Sequence, residues 1–161
     1  MNKTETKFSL SLTIKRDDTN ALVFYKQDGQ RFDNDNTIKM KVQTSYKFIL
    51  AFKPQQKINT AFLKGEELEI VEDEKETGAS KYSLKWNSNN VPVTKKNRRF
   101  NFPLIMDVQN VGTLELTLQF KFYPADDTSH SAWGKNLHFI EYDCLHKPGK
   151  SFVEILSQIY R

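Results

Sequence analysis

The chain has 161 residues, 38% of them apolar and 12% aromatic, with twelve Phe, so its length fits one domain whose burial rests on a few large rings. Lys and Arg number 24 against 20 Asp and Glu, a formal net charge of +4, too mild an excess to imply a nucleic-acid partner. Cys144 is the one cysteine, which excludes an internal disulfide and a thiolate metal cluster and fits a reducing, cytoplasmic compartment.

Residues 7–15 alternate Phe8, Leu10, Leu12 and Ile14 with polar neighbours, the pattern of a strand with one buried and one wet face. After a turn at 17–20, the stretches 23–26 and 30–32 flank Asp28-Gly29, a dipeptide suited to a tight hairpin. A short strand is expected at 37–42. Tyr46, Phe48, Leu50 and Phe52 then alternate up to Pro54, which cannot donate a ladder hydrogen bond and should end the strand.

Strands are expected next at 58–63 and 67–72. Seven of the eleven residues 66–76 are acidic and Gly78 follows, which predicts a solvated loop at the end of this stretch. A strand at 81–86 precedes a polar connector that ends in Lys95, Lys96, Arg98 and Arg99. Residues 100–106 place Phe102, Leu104 and Met106 on one face. Residues 111–123 form the strongest strand, with Leu114, Leu116, Leu118, Phe120 and Phe122 opposite Thr113, Glu115, Thr117, Gln119 and Lys121; its length suggests a bend or bulge. The last strand is expected at 138–144.

Only the end reads as helical. Ser151 and Glu154 have capping-box spacing, and Phe152, Ile155, Leu156 and Ile159 recur at helical intervals, which predicts an amphipathic helix over 151–160. The whole reads as all-β: an antiparallel β-sandwich or flattened barrel of about nine or ten strands, one domain over 1–161 with its core in 7–144. No apolar run approaches the ~20 residues that span a bilayer. Residues 1–7 lack the apolar run of a secretory leader, Asn2 is no myristoyl site, and Arg161 ends no prenyl box, so membrane contact is expected to be peripheral only.

Catalysis finds no support. The six glycines form no phosphate-binding loop, and His130, His138 and His146 lie eight apart, a spacing of no compact metal motif, so neither metal nor cofactor is expected. Cys144 with His146 lacks a third, orienting group and reads better as a small buried residue. Asp126 and Asp127 read as turn residues. Two kinds of binding region remain. Tyr46, Phe48, Leu50, Phe52, Phe102, Leu116, Leu118, Phe120 and Phe122 face the predicted interior, where they either interlock as a core or line a slot for an apolar chain. Lys95, Lys96, Arg98 and Arg99 are candidates for docking on anionic headgroups or partners. The acidic stretch is a second candidate, for a basic peptide.

Several strings together resemble the cannabinoid receptor-interacting protein family: Val23-Phe24-Tyr25-Lys26, Asp28-Gly29-Gln30-Arg31-Phe32, Thr37-Ile38-Lys39 and Ser45-Tyr46-Lys47, then Gly112-Thr113, Lys121-Phe122-Tyr123, Trp133-Gly134 and Ile140-Glu141-Tyr142-Asp143-Cys144. The similarity runs from Phe8 to Cys144. The resemblance implies a non-enzymatic cytoplasmic adaptor that associates with the tail of a cannabinoid-type G-protein-coupled receptor and tempers its signalling. The family in turn is similar to immunoglobulin-like and Rho GDP-dissociation inhibitor-like sandwiches, which implies an alternative: a chaperone holding the prenyl or acyl chain of a small GTPase or another lipidated protein between the sheets.

Overall fold

The computed structural model describes residues 4–73 and 77–161, so Glu74 and Glu76 of the acidic stretch lie outside the described residues. Thirteen strands are described: β1 (Thr6–Arg16), β2 (Phe24–Gln27), β3 (Asn36–Lys41), β4 (Ser45–Lys53), β5 (Ile58–Leu63), β6 (Glu66–Glu67), β7 (Ile70–Glu72), β8 (Ser80–Asn87), β9 (Phe100–Val108), β10 (Gly112–Tyr123), β11 (Lys135–Asn136), β12 (Ile140–His146) and β13 (Glu154–Tyr160). They form a six-stranded sheet in the order β13-β12-β1-β4-β8-β7 and a seven-stranded sheet in the order β11-β2-β3-β10-β9-β5-β6. Both sheets are open, so the architecture is a sandwich and not a closed barrel.

Alternation fixes the register. In the six-stranded sheet Leu10 lies between Tyr142 and Phe52, Leu12 between Ile140 and Leu50, and Ile14 beside Phe48. In the seven-stranded sheet Leu116 pairs with Leu104 and Leu118 with Phe102. A one-residue slip would turn every one of these side chains to solvent, so burial itself holds the alignment. The inward rows of both sheets join in one hydrophobic cluster.

Four expectations are corrected. The region of Asp28-Gly29 is not a tight hairpin: Gly29–Arg31 is a single 3-10 turn, and β2 pairs with β3 across a longer loop. Gly29 does take a positive φ of 62°, but Asp28 stays in the right-handed region, so the two consecutive positive φ values of the hairpin turn are missing. The stretch 67–72 is two strands, since β6 joins the seven-stranded sheet and β7 the six-stranded one. The sandwich is not wholly antiparallel, because β3 and β10 run parallel.

The fourth correction concerns the C-terminus, which is β13 and not a helix. Asp143 pairs with Ser157 and Cys144 with Ile155, leaving Leu156 bulged between them. A single bulge resets the two-residue phase, so Ile155 and Tyr160 both pack toward the core while Leu156 and Ile159 stay exposed, and apolar residues at 155, 156 and 159 imitate helical spacing. The approach to β13 is tied to the other sheet: Thr113 N donates to Ser151 O at 2.9 Å and Val153 N to Thr113 O at 2.8 Å.

Candidate docking surfaces

The interior comes first, because it decides what the surface must do. The nine side chains Tyr46, Phe48, Leu50, Phe52, Phe102, Leu116, Leu118, Phe120 and Phe122 are all 5% exposed or less. Their rings interlock. Phe102 has centroids 5.6 Å from Phe120 and 5.7 Å from Phe122, and Phe52 meets Tyr82 edge-on at 6.0 Å. Trp86 of β8 links the sheets, 6.3 Å from Phe48 on its own sheet and 6.0 Å from Phe122 on the other. Tilted and T-shaped contacts at these distances are how aromatic cores pack to density. Tyr46 keeps its hydroxyl satisfied by accepting from Lys41 N at 2.7 Å.

The four predicted docking cations separate. Lys95, Lys96 and Arg98 are exposed. Arg99 turns inward, with a side chain only 4% exposed, and its Nε lies 3.2 Å from Oδ2 of Asp28, itself 1% exposed. The guanidinium also stacks 4.3 Å from the Phe32 ring centroid. Arg99 is therefore a structural member of a buried network and not a free docking cation.

That network lies on the outer face of the seven-stranded sheet, under the 28–35 loop. The Thr37 hydroxyl donates to Asp28 Oδ2 and accepts from Arg99 Nε at 2.9 Å and from Gln119 Nε2 at 3.0 Å. Gln119, fully buried, also accepts from Asn34 N at 2.9 Å and donates to Asn34 O at 2.8 Å. The amide thus has partners on both its oxygen and its nitrogen, as a buried amide requires. Nothing in the sequence distinguishes Gln119 from the other polar residues of its row, because its burial depends on a loop more than eighty residues away.

The same face gathers positive charge. Lys39 donates to the carbonyls of His130 at 3.0 Å and Trp133 at 2.6 Å. Burial, then the nearby charges of Lys26 and Lys121, hold its ammonium below the usual lysine range. Lys121 is held below it too, by burial and then by Arg99 and Lys26. A cleft of about 260 Å³ adjoins this cluster, with Leu22, Val23, Phe24 and Met40 in its walls and Lys39 and Lys41 also lining it.

Cys144 is buried, and desolvation followed by the charge of Asp143 pushes its thiol up to about 12. It is a thiol at neutral pH, the opposite of an activated nucleophile. His146 Nε2 is engaged with Lys150 O at 2.7 Å. Among the described residues no three His, Cys, Asp or Glu are placed to hold a metal ion, and no helix is long and apolar enough to cross a membrane.

A last feature is the lateral edge formed by β13. It ends the six-stranded sheet, is seven residues long, and leaves Leu156 and Ile159 56% and 43% exposed, with Phe152 at 49% just before it.

The family model described as CB1 cannabinoid receptor-interacting protein 1 matches residues 4–160. The chain belongs to the cannabinoid receptor-interacting protein family. Human CB1 cannabinoid receptor-interacting protein 1 is 31% identical over 145 residues, covering 88% of this chain and 87% of its own. The bovine protein is 31% and the mouse protein 30% identical over the same coverage. The family match therefore extends past Cys144 through β13, so the C-terminal strand of this cannabinoid receptor-interacting family member belongs to the shared region, as do the 28–35 loop and the strands that carry the basic face.

Proposed function

We propose that this protein is a cytoplasmic adaptor that takes up the C-terminal tail of a cannabinoid-type receptor and modulates its signalling, with the open edge of β13 as the docking line. The observation that carries this reading is the match of residues 4–160 to a family described by its interaction with that receptor class. The geometry supports an edge mechanism. An extended tail segment adds to an unpaired strand through main-chain hydrogen bonds, while alternate side chains supply specificity. Soluble proteins normally blunt such edges with charge or proline. Here β13 carries Leu156 and Ile159 exposed, apolar surface that a paired peptide would cover.

Calorimetric titration of a receptor-tail peptide into the full chain tests the proposal. Saturable binding that Leu156→Lys with Ile159→Lys weakens by about tenfold or more supports it, on the usual worth of one or two covered aliphatic side chains. No saturable binding at low salt defeats it. The interlocked rings offer the lipid-cargo alternative no comparable support.

A further inference from the structure

Around Lys39 and Lys121 on the outer face of the seven-stranded sheet, the charges close enough to act are Lys26, Arg31 and Arg99 against Asp28 and Asp127. Register places Lys121 beside Lys39, Lys39 beside Phe24, and Lys26 beside Thr37. Arg99 and Arg31 complete the group, both close enough to act on Lys121. Asp28 is already engaged by Arg99, with Lys26 at 3.8 Å from its other oxygen, and Asp127 is held by Ser131. Arg31 is hydrogen-bonded to Asn97, which ties the exposed loop carrying Lys95, Lys96 and Arg98 to the same patch.

Aromatic rings sit among these charges in a telling way. Phe32 is covered by Arg31 and Arg99, and Lys121 lies 5.2 Å from the Tyr123 centroid. Rings occupied by the protein's own cations are poorly placed to stack bases, which disfavours single-stranded nucleic acid. Trp133 is different: Lys39 lies 5.3 Å from its ring, yet the residue is 73% exposed. The backbone behind it is fixed, because Lys39 binds its carbonyl and a Cβ on Gly134 would lie 3.1 Å from Tyr25 O. An outward indole on an anchored backbone, with Lys39 at its ring and an apolar-walled cleft beside it, has the chemistry of the bilayer interface, where aromatic side chains sit at headgroup depth and cations meet anionic lipid.

We infer that this face, with Lys26, Lys121 and Arg31 as its charged contacts and Trp133 as its interfacial anchor, docks on an anionic phospholipid bilayer. The inference is independent of what binds β13.

The test is vesicle sedimentation together with tryptophan fluorescence on the full chain. Vesicles of phosphatidylcholine alone are compared with vesicles holding about 30% phosphatidylserine, at about 0.1 M salt. Binding is expected only with phosphatidylserine, to weaken as salt rises, and to shift emission to shorter wavelength. Trp86 is 5% exposed and already dry, so Trp133→Phe should abolish the shift. Lys26→Ala with Lys121→Ala should cut partitioning about tenfold or more, whereas Lys47→Ala with Lys81→Ala, of equal charge loss on the other sheet, should leave it near wild type. Should the first pair fail to fold, the wild-type salt dependence and the Trp133 shift still decide the matter. Equal losses in the two pairs, absence of binding to phosphatidylserine, or binding without a Trp133 response overturns the inference. So does a poly-glutamate peptide that binds this face when vesicles do not, an outcome that assigns it to an acidic protein segment.

Discussion

Replacing Arg99 by alanine leaves the Asp28 carboxylate buried without its main counter-charge. Removing one member of a buried pair typically costs about 3–5 kcal/mol, because the remaining charge has lost its water and its partner. The low end, about 3 kcal/mol, is expected here, since the Thr37 hydroxyl still donates to Asp28 and Lys26 lies 3.8 Å from it. For a domain of this size that corresponds to a fall of about 6–12 °C in melting temperature. Urea unfolding followed by tryptophan emission measures it, with Lys96→Ala as an exposed control expected within about 0.5 kcal/mol of wild type. Asp28→Ala should cost about as much as Arg99→Ala, and the double variant should cost less than the two together by about 2 kcal/mol. An Arg99→Ala protein as stable as the Lys96→Ala control, or strictly additive losses, would refute the buried network and return Arg99 to the docking set.

Three more outcomes are expected. Gly112→Ala should lower stability by about 1–3 kcal/mol in a thermal melt, because φ there is 129° and a Cβ would stand 2.5 Å from Ser151 O, a backbone atom with little room to yield. Phe122→Ala should cost about 3–5 kcal/mol in urea unfolding if the interlocked rings are core; a small loss joined to a retained lipid mass in native mass spectrometry would instead mark a slot. Stability should fall as pH rises from about 9 toward 12. The Cys144 thiol ionises near 9 when unfolded but near 12 when folded, so in this window the unfolded chain loses a proton that the folded one keeps. Equilibrium unfolding across that range should show Cys144→Ala with a shallower decline, and an unchanged slope would contradict the burial.

How much of this was legible in the sequence depended on whether a feature is local. The alternation in β1, β4 and β10 identified the inner faces directly, because each needs only a period of two and a neighbouring layer. Pro54 stopped β4 as a residue without an N–H should, and β4 ends at Lys53. The failures share a different cause. The bulge at Leu156 is induced by pairing with β12, and only that partner distinguishes the resulting spacing from a helix. The parallel pairing of β3 with β10 joins segments about eighty residues apart, which no local periodicity encodes. Arg99 stands in a run of cations that nothing local tells apart, and only the fold brings Asp28 beneath it. Trp133 and Lys39 carry no such local signal, since a lysine only 5% exposed beside an indole becomes visible only once loop 124–134 is laid over β3.

Hydrogen exchange of the full chain with and without a receptor-tail peptide bears most directly on the proposed role. Strand addition predicts that amides in 154–160 slow on binding while the central strands β1 and β10 stay unchanged. Saturable binding that leaves the β13 amides at their free rates would place the tail elsewhere and contradict the edge mechanism.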